Sequence, residues 1–108
     1  MIFIVVKFTI RPERSDEWIS LAQDFTTATR AEPGNIFFEW SRSVDDPNQF
    51  VLVEAFQDGA GEAHVTSDHF KTAMGWMPDV VATTPDIVSI QGVDGEGWGK
   101  MGEITPRG

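Results

Sequence analysis

Apolar residues fill both alternating sets at the start of the chain. Ile2, Ile4, Val6, Phe8 and Ile10 make one side of residues 2–10, and Phe3 and Val5 begin the other. A strand covered on both faces reads this way, and Arg11-Pro12 ends it because Pro cannot extend the ladder. The period then changes. Trp18, Leu21, Ala22, Phe25 and Ala28 recur at three- and four-residue spacing, the stripe of an amphipathic helix. Ser15 or Asp16 is placed to cap it, and Glu32-Pro33-Gly34-Asn35 stops it with turn residues. Residues 36–44 and 49–57 predict two strands joined by the turn Asp45-Asp46-Pro47-Asn48, an antiparallel hairpin.

After Asp58-Gly59-Ala60-Gly61 a short helical piece carries Glu62, Ala63 and His64. Ser67 can cap a further helix whose apolar stripe is Phe70, Ala73, Met74 and Met77, and Pro78 bends or ends it. Residues 86–93 predict a last strand. The order β-α-β-β-α-β is the split arrangement of the ferredoxin-like fold: an α+β domain, an antiparallel sheet with helices on one face. The other face needs a cover, and a second copy of the sheet is the economical one. The domain is expected over residues 1–94, with 95–108 a Gly-rich tail whose Trp98 packs on the domain or its partner.

The bulk properties narrow the functions. The chain has 108 residues, with 41% hydrophobic and 23% charged residues, an ordinary globular balance for one domain. There are no cysteines, which removes disulfides, thiolate nucleophiles and cysteine-ligated metal centres. A net charge of −9 without a basic cluster argues against nucleic acid. No apolar run approaches the roughly 20 residues of a membrane span. The N-terminal stretch reads as strand rather than as a secretory signal, so a cytoplasmic protein with no membrane association is expected. The tail segment Gly95-Glu96-Gly97-Trp98-Gly99-Lys100 is not a phosphate loop, since Asp94 and Met101 stand where that motif needs Gly and Ser or Thr. The Gly-x-Ser-x-Gly elbow of serine hydrolases is absent.

The segment from Phe38 to Asp58, Phe38-Glu39-Trp40-Ser41-Arg42 through Val51-Leu52-Val53-Glu54-Ala55-Phe56-Gln57-Asp58, resembles the central hairpin of the antibiotic biosynthesis monooxygenase family. Ala63-His64-Val65-Thr66-Ser67-Asp68-His69-Phe70 resembles its segment with two histidines, the second followed by an aromatic. Pro33-Gly34-Asn35 matches its turn before the hairpin, and the resemblance extends over roughly residues 2–93. It implies a dimeric α+β barrel with a pocket in each subunit between sheet and helices. It also implies oxidation of quinols or polyketide anthrones by dioxygen without flavin, haem or metal. Other relatives degrade haem, isomerise small phosphorylated sugars or have no known activity, so fold alone does not choose. The haem-degrading reading calls for an asparagine in the first strand, and residues 2–10 hold none.

His64 and His69 are the only histidines. On the reading the resemblance implies, one of them accepts the proton of a bound phenol, leaving an electron-rich phenolate that reduces dioxygen. Histidine suits this because its ordinary pKa of about 6.5 leaves much of it neutral at working pH. The plainer reading is a pair that caps or packs at a helix start. Metal binding is disfavoured: five-residue spacing does not put two ligands on one helical face, and only Glu62 and Asp68 lie close in sequence. Phe38, Trp40, Phe70, Met74, Trp76 and Met77 either line a pocket for a flat aromatic or fill the core. Glu54, in an apolar strand run, either serves a histidine or substrate, or sits at the sheet edge, or pairs with Arg42 across the hairpin. The leading expectation is a cofactor-independent monooxygenase acting as a homodimer on a small aromatic substrate with dioxygen. A non-catalytic dimer that binds a hydrophobic metabolite is the alternative.

Overall fold

A computed structural model describes residues 1–108. Strand β1 (Ile2–Thr9) gives way at Pro12 to a 3-10 turn, Pro12–Glu17. Helices α1 (Trp18–Leu21) and α2 (Gln23–Arg30) follow. The hairpin is β2 (Asn35–Arg42) and β3 (Gln49–Phe56). Short α3 (Gly61–Val65) precedes α4 (Asp68–Trp76), a second 3-10 turn spans Met77–Asp79, and β4 (Asp86–Ile90) closes the chain's regular structure. The strands form one antiparallel sheet in the order β2-β3-β1-β4, the βαββαβ arrangement of the ferredoxin-like fold. The sheet is not closed within one chain.

The single helix expected after residue 15 is instead a 3-10 turn and two helices broken at Ala22. The expected caps are engaged elsewhere. Ser15 is buried and its hydroxyl donates to Asn48 Oδ1 at 2.8 Å, while Asp16 pairs with Arg42 at 2.9 Å. Both tie the helical segment to the hairpin turn. The stripe itself still points inward: Trp18, Ala22 and Phe25 are buried. Ser67 caps α4, its Oγ accepting from Phe70 N at 3.2 Å. Pro78 lies in the 3-10 turn that ends α4, since its ring obstructs a helical continuation.

The pleat decides which strand residues meet the helices. Ile2, Val6 and Phe8 of β1 and Phe50, Leu52, Glu54 and Phe56 of β3 are buried, and most of them pack with Phe38, Trp18, Phe25, Ala73 and Met77 in the core. The opposite face carries the registered rows Phe37-Ala55-Phe3-Ile90 and Glu39-Val53-Val5-Val88. No helix covers it. Trp98 of the tail stacks on Phe37 at 5.1 Å yet stays 70% exposed, and Val88 and Ile90 are exposed. No helix is long and apolar enough to cross a membrane.

Candidate functional site

Between the sheet and α2, α3 and α4 lies a pocket of about 300 Å³ lined by 13 residues, 10 of them hydrophobic. Ile4, Val6, Phe8 and Leu52 form its floor, and Phe25, Phe70 and Met77 its helical wall. Exposed Val65, Met74 and Ile87 stand around its mouth. Two ionisable side chains face this apolar space, Glu54 and His64. The volume suits a small ligand, at the lower end of common binding pockets.

Glu54 is positioned by register, flanked across the sheet by Ile4 on one side and Phe38 on the other. It is buried and has no hydrogen-bond partner among the side chains around it; His64 is an ionisable neighbour, with Nε2 at 3.9 Å. Burial pushes its carboxyl up from 4.5 to about 7, and the negative charge of Glu32 adds to the shift. Arg42, the cross-hairpin partner considered from sequence, is committed to Asp16 and to the carbonyl of Pro47.

His64 points inward from α3, packed against Phe25, Phe38, Phe56 and Phe70. Its Nδ1 lies 2.7 Å from Glu32 Oε2, and Nε2 of His69 lies 2.7 Å from the same oxygen. As a carboxylate Glu32 only accepts, which fixes the Nδ1–H tautomer of His64 and leaves its Nε2 lone pair on the side of Glu54. The residue spacing is bridged by two contacts. Ser67 Oγ donates to the His64 carbonyl at 2.6 Å while capping α4 beside His69. Gly34 sits so close to Ala60 that an added Cβ would lie 2.3 Å from the Ala60 Cβ, and this close approach docks the Glu32 turn against the start of α3.

The structure therefore brings together His64, Glu54, Phe70, Met74 and Met77 at the pocket. His69 stands behind His64, joined through Glu32, and is about one-quarter exposed. Phe38, Trp40 and Trp76 are not lining residues: Phe38 is in the core, edge-on to Phe25 and Trp40, and Trp40 and Trp76 pack half-buried against that core, Trp76 on Trp18. The Trp40 indole donates to Thr26 Oγ1 at 2.9 Å. Glu32 is the member of this cluster that sequence reading missed. It lies 32 residues before His64 in a stretch that reads only as a helix stop. One atom each of Glu32, His64 and His69 lies within 4.8 Å of the others, a donor set of the kind divalent metals use. The two histidines sit on different helices, so helical spacing does not govern whether they converge.

Comparison with known proteins bears on the family and the fold. Residues 1–76 match the family model of the antibiotic biosynthesis monooxygenases, and the chain belongs to that family. The Bacillus subtilis protein named "Putative monooxygenase YcnE" is 28% identical over 89 residues, 82% of this chain and 94% of that one. Rv0793 from Mycobacterium tuberculosis superposes with a TM-score of 0.79 at 21% identity, over 89% of this chain and 98% of that one. PA3566 from Pseudomonas aeruginosa gives 0.75 at 17% identity, over 86% and 94%. These two structures attest the fold.

Proposed function

We propose that this protein is a cofactor-independent monooxygenase that oxidises a small hydroxylated aromatic, of quinol or anthrone type, with dioxygen, and that it works as a homodimer. The observation that carries the reading is His64: a buried imidazole, oriented by Glu32, whose free Nε2 faces an apolar pocket. Nε2 takes the phenolic proton, and Glu32 stabilises the imidazolium that forms. The phenolate, surrounded by Phe25, Phe70 and aliphatic side chains rather than by water, passes one electron to dioxygen. Recombination of the two radicals forms a C–O bond, and the proton returns to give a hydroperoxide. Loss of water from a hydroperoxide at an anthrone CH2 leaves a carbonyl, so one oxygen atom enters product and the other leaves as water. Membership of the family and the monooxygenase name of YcnE support this class of reaction.

The uncovered apolar sheet face, with Val5, Val53 and Val88 in register, supports the homodimer. Oxygen uptake by metal-free protein, offered a panel of quinols and anthrones, tests the whole reading. Uptake above autoxidation, lost in His64→Ala, is the expected result. Saturable binding of the same compounds with no oxygen use would instead favour a carrier, a reading that the preponderance of hydrophobic lining residues also accommodates.

A further inference from the structure

We propose that Glu32, His64 and His69 form a binding site for a divalent transition-metal cation of the zinc type, and that occupying it switches off the base at His64. The switching half rests on the function proposed above; the binding half does not.

Two imidazole nitrogens from separate helices, His64 Nδ1 and His69 Nε2, converge on one point, held here by a single carboxylate oxygen 2.7 Å from each. All three donor atoms lie within 4.8 Å of one another. Around tetrahedral zinc, with bonds of about 2.0–2.2 Å, donors stand about 3.3 Å apart. The present spacing, 2.7 Å across each Glu32 contact and no more than 4.8 Å across the set, brackets that value. Imidazole and carboxylate are the donors this class of metal prefers, and three protein ligands with an open fourth position is a recurrent arrangement.

A second observation points to the same ligand. Glu54 is buried and unpartnered 3.9 Å from His64 Nε2. Glu32 beside it is only slightly exposed, and no lysine or arginine pairs with either carboxyl group. A divalent cation brings positive charge to a cluster that no basic side chain reaches. When His64 gives its Nδ1 lone pair to the metal, its proton must sit on Nε2, aimed at Glu54. That is the outer-shell carboxylate contact typical of metal-bound histidine. His69 is partly exposed and gives the ion a way in from solvent.

The consequence for reactivity follows from the tautomer. In the metal-free state Nε2 offers a lone pair to the pocket; in the loaded state it carries a proton and cannot accept one. Loading also displaces the two N–H protons now donated to Glu32. One reappears on His64 Nε2 and the other on His69 Nδ1, so both rings bind the ion as neutral imidazoles.

The test is titration of chelator-treated, full-length protein with zinc chloride by calorimetry, and with cobalt(II) by visible absorption. One ion per chain is expected, with an intense tetrahedral cobalt band. Glu32→Gln and His69→Ala should each weaken binding by at least the roughly 10- to 100-fold that outer-shell changes alone produce. Asp24→Asn, on the exposed face of α2, should leave it unchanged. Long-range proton–nitrogen NMR of the unaltered protein makes the answer independent of how the variants fold: zinc should move the resonances of His64 Nδ1 and His69 Nε2 together. Absence of saturable binding, or a response confined to other groups, overturns the site. If oxygen uptake is found, zinc should suppress it at the same stoichiometry, and full uptake in loaded protein overturns the switch. Zinc binding without uptake on any substrate would leave the site standing and fail the oxygenase reading alone.

Discussion

Glu32 Oε2 lies 2.7 Å from His64 Nδ1, across 32 residues of sequence. This contact fixes the tautomer of the one histidine that reaches the pocket. Positioned acid–base groups contribute about 10²- to 10⁴-fold to rate. His64→Ala should therefore lower kcat for oxygen uptake within that range. Glu32→Gln should lower it about 10²-fold with KM little changed, because the amide can hold the opposite tautomer. Equal rates in wild type and Glu32→Gln would remove Glu32 from the mechanism.

His69 bonds to Glu32 and packs behind Phe25 and His64, and is not itself among the pocket-lining residues. Its replacement by Ala should cost less than loss of His64, about tenfold in kcat, as expected for a group acting through another. A loss matching that of His64→Ala would mean that His69 itself meets the substrate.

Glu54 gives a pH signature in stability. Its folded-state value of about 7 stands above the ordinary 4.5, so the fold prefers the protonated acid. That stability is full below pH 4.5, falls as pH rises through about 7, and amounts to about 3 kcal/mol. Denaturant unfolding at pH 4.5 and pH 8 should show this loss in the wild type. Glu54→Gln, which cannot ionise, should lack it. Parallel pH dependence in both proteins would contradict the burial argument.

Gly34 approaches Ala60 too closely for a side chain. Gly34→Ala should destabilise the fold by about 1–3 kcal/mol, the usual cost of overpacking. It should also lower turnover at temperatures where the protein remains folded, since the same turn carries Glu32. Thermal unfolding together with kcat decides the matter; a neutral Gly34→Ala would show that the turn relaxes freely.

Val88 faces outward from the edge strand in register with Val5 and Val53. Val88→Asp should leave the fold intact, because the residue is 57% exposed, but shift sedimentation from dimer to monomer at micromolar concentration. A wild type that sediments as a monomer would refute the homodimer directly.

What the sequence determined by itself was the order and kind of the elements. Periodicity marks four strands and the helices between them, and turn chemistry at Pro33-Gly34-Asn35 and Asp45-Asp46-Pro47-Asn48 fixes where the chain reverses. Those signals are local, arising from neighbours one to four residues apart. The motif around His64 and His69 was legible for the same reason. The strand face toward the helices was not, because β1 is apolar on both sides; pairing register and the helix positions settle that Ile4, Glu54 and Phe38 share it. Only tertiary structure separated pocket from core among the aromatics, sending Phe70 to the cavity, Phe38 to the core, and Trp40 and Trp76 to half-buried places against that core. It alone gave Glu32 a role. A carboxylate in a turn carries no local mark of what it will face, and its meaning depends on the packing of Gly34 on Ala60 and of α3 on α2, which bring two distant histidines to one oxygen.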